Sequence, residues 1–279
     1  MATVKEYLSR DAGTEGSLLI MKKIYDTLIE AVDKKRIGRT DAAIIMGPSS
    51  IPGSSIDIDL VTADSLSVKK VAEGAAIPID VVAYTNFNMK PSKYGVRPLI
   101  TKEMQEDGKW DLLAHNIKIA GMEMGENEDG LIVTDALDQA GNTVSGSGAI
   151  TIANITRAMQ YLEDNDYAPT TMYVGPEVLN DLRNIDTFVE ADKLGSREML
   201  QNGFVGTLFG LEVKLISGNI MTSAYAYVFD KNQAFCIAEK RPITVEKYDD
   251  VTHDLSGAVI TQRVKVRYLR ANAIAKITT

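Results

Sequence analysis

Residues 55–101 form two long extended segments, and little in the sequence around them offers a surface for either to pack on. Ile56, Ile58 and Leu60 alternate with Asp57 and Asp59, and Phe87, Met89, Tyr94, Val96, Pro98 and Ile100 mark a returning leg. An isolated two-stranded hairpin of this length is at best marginally stable in water. The pattern therefore predicts that the hairpin finds its apolar partner on a neighbouring subunit.

The chain has 279 residues and a mass of 30.4 kDa, enough for one large or two modest domains with a real core. Its 45% apolar and 24% charged residues are those of a folded protein. No run approaches the roughly 20 apolar residues that cross a bilayer, and residues 1–10 lack the apolar stretch of a secretory signal, so the expected compartment is the cytosol. The lone Cys236 lies in an apolar stretch and is expected as a small core residue. A net charge of −8 argues against a general nucleic-acid binder. Lys34, Lys35, Arg36 and Arg39 cluster locally, where interaction with a helix C-terminus accounts for them better than phosphate binding.

Leu18, Met21, Tyr25, Leu28 and Val32 recur at three- and four-residue steps and predict an amphipathic helix over 15–35, preceded by a loose polar arm. Gly47, Pro48, Pro52 and Gly53 then break the chain before the hairpin. Beyond it, 102–107 is helical, Gly108 interrupts, and Leu113, Ile117, Ala120 and Met124 place a long helix over 110–126. Gly121 and Gly125 inside it serve bending or close approach, or are simply tolerated at a cost of about 1 kcal/mol each. The glycines and serines of 140–148 predict a loop or domain junction. Helices follow over 154–164, capped by Asn154, and from Pro176 to about 184, with strands at 171–174, 211–216, 225–229 and 234–237. Pro242 is expected to open a strand over 243–248, and 259–268 and 272–277 close the chain as two more.

Catalytic patterns are missing from the sequence. Only His115 and His253 occur, there is no Cys pair at metal-ligand spacing, and no G-x-S-x-G or phosphate-cradling loop. Asp57 and Asp59 share one strand face and are expected as a solvated row rather than a divalent-ion site. No catalytic residue, cofactor or metal is expected.

Three patches resemble the major capsid proteins of tailed double-stranded DNA viruses, the Hong Kong 97 phage type. Residues 71–78, reading VAEGAAIP and containing Glu73, are similar to that family's E-loop element. Lys93, Tyr94, Gly95 and Val96, with Thr101, Lys102 and Glu103, resemble its returning strand and the start of its spine helix region. The third patch runs through LFGLEV at 208–213, Tyr227 to Asp230, Arg241, Thr244, Val245, Glu246, Arg263, Val266, Arg267 and 271–274. The likeness in element order covers about residues 15–277.

The resemblance implies an α+β fold of that capsid type. Its parts would be an N-terminal arm and amphipathic helix at 1–46, an extended E-loop hairpin at 47–101, a P domain with a spine helix at 102–149, an A domain at 150–249, and strands at 250–279 returning to the P domain. It implies a structural protein that self-assembles into an icosahedral shell around viral double-stranded DNA, built in the host cytoplasm and resident in the virion. Its partners would be its own copies in pentamers and hexamers, portal and scaffolding or decoration proteins, and DNA held without sequence-specific contacts; no membrane is involved. Ile56, Ile58, Leu60, Lys69, Lys70, Glu73, Phe87, Met89 and Tyr94 are the expected inter-subunit contacts. Some members of the family cross-link through an E-loop lysine; Lys69, Lys70, Lys90 and Lys93 are available, nothing in the sequence fixes which lysine or which partner, and they are expected unmodified. The stretch before the first helix is short for a fused scaffolding domain, so scaffolding is expected from a separate protein. Two other functions fit less well: an encapsulin-type shell around cargo enzymes, and a soluble α/β enzyme or binding protein with a dimerisation arm. The VAEGAAIP patch and the C-terminal strands favour the virion.

Overall fold

The structure, a computed structural model, describes residues 13–61, 68–74, 76–77, 79–82, 84–107, 112–146, 148–185 and 204–279; of residues 13–23, 105, 204 and 205 it describes the backbone alone. The predicted loose arm at 1–12, Trp110 and the side chains of Leu18 and Met21 therefore lie outside the described residues.

Two sheets share the core. The first is five-stranded, with β1 (Ile44–Met46), β11 (Phe235–Asp250), β12 (Leu255–Tyr268) and β4 (Ser92–Val96) in that order, and β5 (Leu99–Thr101) also paired to β12. The second is six-stranded, in the order β6 (Asn142–Ser145), β13 (Ile274–Thr278), β10 (Tyr225–Phe229), β7 (Thr171–Val174), β9 (Leu211–Leu215), β8 (Phe204–Leu208). Strands β2 (Ile56–Val61) and β3 (Tyr84–Met89) form a separate antiparallel ribbon.

Helix α1 (Gly13–Lys35) lies along helix α3 (Leu112–Asp135), with the short α2 (Lys102–Asp107) between β5 and α3. Ile24, Leu28, Ala31 and Val32 are buried on α1, whereas Tyr25, predicted on the apolar stripe, faces outward. The contact explains the two glycines of α3. A Cβ on Gly121 would stand 2.9 Å from the Leu28 carbonyl oxygen and 3.0 Å from the Ala31 Cβ, and one on Gly125 would stand 3.1 Å from the Val32 carbonyl. The glycines serve close approach, and the helices pack backbone to backbone over a core completed by Ile100, Ile117, Ile243 and Ile260.

Helix α4 (Ile152–Glu163) begins at an N-cap Thr151, one turn before the predicted Asn154 cap, because the Thr151 side chain accepts from the Asn154 N–H. It packs with α5 (Pro176–Arg183) on one face of the six-stranded sheet, burying Ile155, Leu162, Val178 and Leu182 against Met172, Val213 and Val228. Tyr173, Phe229, Phe235, Ile237, Val264 and Val266 form a second core joining the two sheets beneath Ile132 and Val133 of α3.

Several sequence expectations need correcting. Residues 142–145 are strand β6, not loop: a polar edge strand needs only Val144 buried, and its parallel pairing to β13 supplies the backbone hydrogen bonds. Strand β13 lies between β6 and β10, so the C-terminal strand joins residues 142–145 to the sheet built from 171–229. Pro242 does not open a strand; it sits at a bulge inside one long strand, where the register against β12 shifts twice between Glu239 and Thr244. The returning leg of the hairpin ends at Met89, and after Pro91 the chain joins β12, so Tyr94, Val96 and Ile100 belong to the five-stranded sheet.

The largest departure is the length of α3, which runs nine residues beyond the predicted end at 126. Glu128 and Asp129, beyond that predicted end, are both buried and bonded. Asp129 accepts from the backbone N–H groups of Ile37 and Gly38 at 2.9 and 2.8 Å, pinning the chain as it leaves α1. Glu128 receives Arg39 at 3.2 Å and the Gln262 amide at 3.0 Å, and both donors also reach Glu239 of β11, Arg39 at 2.5 Å and Gln262 at 3.0 Å. Burial pushes Glu239 upward, but the hydrogen bond and charge of Arg39 prevail and hold it below the usual carboxylate range. Next to this group, Asp41 takes the Tyr173 hydroxyl and the Lys214 ammonium, each at 2.6 Å. The predicted basic cluster is consumed by such pairs: Lys34 with Glu30, Lys35 with Glu126, and Arg36 with Asp33.

Two outcomes are expected. Gly121→Leu places a side chain against the α1 backbone and lowers the unfolding free energy by about 1–3 kcal/mol, read as a lower urea midpoint at unchanged slope. Burial raises Asp129 from 3.8 to about 6, so between these values the folded chain holds a proton that the unfolded chain has lost, and stability falls as pH rises through that window. Asp129→Asn lacks this titration; its stability relative to wild type is expected to improve by on the order of 2–3 kcal/mol from pH 4 to pH 6, measured by denaturant melts across the window.

Candidate functional site

The β2–β3 ribbon pairs Ile56 with Met89, Ile58 with Phe87 and Leu60 with Thr85. Its base is anchored on the chain itself. Met89 is fully buried with Ile51, Cys236 and Ala238, and Ile56, Ile58 and Phe87 pack around them. The Cys236 thiol lies 3.5 Å from the Met89 sulfur, and burial pushes it up to about 12, so it is held as an unreactive thiol. The Arg267 guanidinium covers the Phe87 ring at 4.7 Å, and Lys240 donates to the Ile51 carbonyl.

The anchoring divides the expected contact set. Met89 is buried within its own chain, Ile56, Ile58 and Phe87 are partly buried against the chain's own sheet, and Tyr94 packs, partly buried, against the core between the two sheets. The sequence did not reveal this partner because it comes from β11, nearly 150 residues further along the chain.

Past Leu60 and Tyr84 the situation reverses. Val68, Ile77, Ile79, Val81 and Tyr84 are exposed, Ile79 at 91% and Val68 completely, and no part of the described chain covers them. Lys69 pairs with Asp80 at 2.9 Å, Lys70 and Glu73 are exposed, and Gly74 turns the chain at a φ of +79° that other residues rarely adopt. Residues 62–67, Ala75, Pro78 and Ala83 of this tip lie outside the described residues. The alternation of Ile77, Ile79 and Val81 was a signal in the sequence that the expected contact set overlooked.

Two charged rows flank the ribbon. On its outward face, among the described residues, Asp57 and Asp59 accept only from Asn88 and Asn86, at 2.6 and 2.7 Å. On the five-stranded sheet, Lys93, Arg263 and Arg241 stand opposite one another on three adjacent strands. They share the face that carries the ribbon base, whereas their neighbours Gln262 and Glu239 point to α3.

Nothing described resembles a reaction centre. His253 is an exposed loop residue bonded to Asp250 at 2.8 Å, and His115 is exposed on α3. Among the described residues no three His, Cys, Asp or Glu side chains gather as a metal site, and no helix is long and apolar enough to cross a membrane. A cleft of about 370 Å³ opens beside α1, lined by Lys34, Lys35, Ile37, Leu215 and Ile216, and its carboxylate, Asp129, is committed to backbone N–H groups.

No curated protein matches the chain. In fold it is similar to the capsid of the cyanophage P-SCSP1u, with a TM-score of 0.66, 13% identity, and 88% of each chain covered. It is similar to a chain from Mycobacterium phage Che8, with a TM-score of 0.64, 18% identity, 81% of this chain covered and 84% of the other. A virus-like particle from Pyrococcus furiosus aligns over 92% of this chain and 98% of its own at a TM-score of 0.65 and 14% identity. The family model described as phage capsid protein matches residues 87–276, from the returning strand of the ribbon to the last strand of the six-stranded sheet. With more than half its length matched by that model, the chain belongs to the phage capsid protein family, and its fold is the Hong Kong 97 type capsid fold of the phage structures it resembles.

Proposed function

We propose that this structural major capsid protein closes an icosahedral shell around double-stranded viral DNA by laying the tip of each β2–β3 ribbon over the neighbouring copy. The observation that carries this reading is the contrast along one ribbon: a base locked into its own sheet and a tip whose Val68, Ile77, Ile79 and Val81 are in water. Burying each such side chain contributes about 1.5–3 kcal/mol before association costs, and repeated identical contacts turn modest pairs into a closed assembly. The anchored base sets the direction in which the tip is offered.

The role is structural rather than enzymatic. Portal, scaffolding or decoration proteins are the expected further partners, the DNA is held without base readout, and assembly takes place in the host cytoplasm before the protein resides in the virion. The acidic net charge of −8 suits a container that must fill and empty. The family match favours a genome over a cargo enzyme as the content.

Purified protein is expected to form closed particles by electron microscopy and to elute in the megadalton range on gel filtration. Replacing Ile77, Ile79 and Val81 together by Asp changes only exposed positions, so the fold and its unfolding midpoint are expected to persist while closed particles disappear. An intact chain that stays a small oligomer at high concentration, or a triple variant that assembles normally, contradicts the reading.

A further inference from the structure

Lys93, Arg263 and Arg241 are paired side by side across β4, β12 and β11, so three cations lie on one sheet face at strand spacings of about 4.8 Å. Like charges directly opposite one another destabilise a sheet. Their bonds do not relieve this: Arg263 donates to the Pro91 carbonyl at 3.3 Å, Arg241 reaches the Thr261 hydroxyl at 3.5 Å, and none of the three has a carboxylate partner among the described residues. Lys93 and Arg241 are exposed and Arg263 is half-buried. Nearby cations are treated differently. Lys265 pairs with Asp135, and Arg267 and Arg97 cover the rings of Phe87 and Tyr248.

A complementary row stands on the ribbon. Asp57 and Asp59 are exposed, about 7 Å apart along β2, and have only asparagine amides for partners among the described residues. They face away from their own sheet, because the alternate residues Ile56 and Ile58 turn into it. Within one chain the two rows therefore leave each other unneutralised.

We propose that the Lys93–Arg263–Arg241 row receives the Asp57–Asp59 row of a second copy, fixing the register in which one ribbon crosses the next subunit; this rests on the capsid reading above. Carboxylates of another copy fit better than nucleic-acid phosphates. The cationic row is about 10 Å wide in a chain of net charge −8, too short to follow a phosphate backbone, whereas the acidic row matches its scale. Opposed rows of this kind contribute little per exposed pair, but a wrong register that sets like charges together costs several kcal/mol.

The test is a charge exchange in the full chain. Lys93→Glu with Arg241→Glu, and separately Asp57→Lys with Asp59→Lys, are each expected to fold, with unchanged circular dichroism and a similar unfolding midpoint. Each is expected to lower the yield of closed particles at least about tenfold, equivalent to about 1.4 kcal/mol. The quadruple variant restores the yield, with the two signs exchanged. Wild-type particles accompanied by indifferent double variants, or by a quadruple variant that fails to recover, overturn this inference alone. So do double variants that assemble normally but contain less nucleic acid, since the row would then be a phosphate site. A wild-type chain that forms no particles overturns the capsid reading and this inference with it.

Discussion

Two adjacent carboxylates buried on α3 hold the molecule's parts in place. Asp129 takes the backbone where α1 ends, and Glu128, through Arg39 and Gln262, reaches Glu239 and so the long strands β11 and β12. Removing one member from a group of this kind leaves a buried charge without its partner, which costs more than the group contributes when complete. The arrangement has a geometric consequence. The helix, the connection behind α1 and the two strands that bear the ribbon base are bound at a single point, so the direction of the ribbon is inherited from α3.

The α1–α3 contact depends on the same helix and on a different force. Gly121 and Gly125 remove the side chains that would hold the two backbones apart, and the apolar residues of α1 close over the five-stranded sheet. On the other side of that sheet no helix packs among the described residues. Its face is covered at one end by the ribbon base and otherwise carries the cationic row, and an uncovered sheet face beside an uncovered apolar tip is what a subunit of a larger surface requires. Fold and proposed function meet in this asymmetry: one face completes the monomer's core, and the other is the face proposed above to meet a second copy.

Part of this was legible in the residues. The alternation of β2, the strands of 171–174 and 225–229 and the helix from Pro176 follow from local period and turn chemistry, and the structure has them where the pattern placed them. Other parts were illegible because local signals pointed the wrong way. The predicted end of α3 falls short of Glu128 and Asp129, which Arg39, Gln262 and two backbone N–H groups reach from distant segments. Asn142 to Ser145 resembles a loop until β13 arrives beside it. Met89 was expected to serve a neighbour, and the chain buries it against Cys236 and Ala238 of a distant strand.

The sequence alone determined that the chain has a ribbon with an apolar row, helices of definite amphipathic period, and no G-x-S-x-G, phosphate-cradling or paired-Cys motif, since these depend on neighbours within a few positions. It also carried the order of elements by which the family is recognised. Tertiary structure decided where the ribbon's apolar row divides into an anchored base and an exposed tip, which charged residues are neutralised internally, and which cations remain beside one another on an open sheet face. Those outcomes depend on contacts between residues a hundred or more positions apart, and no local period encodes which distant group will be there to answer a charge or cover a side chain.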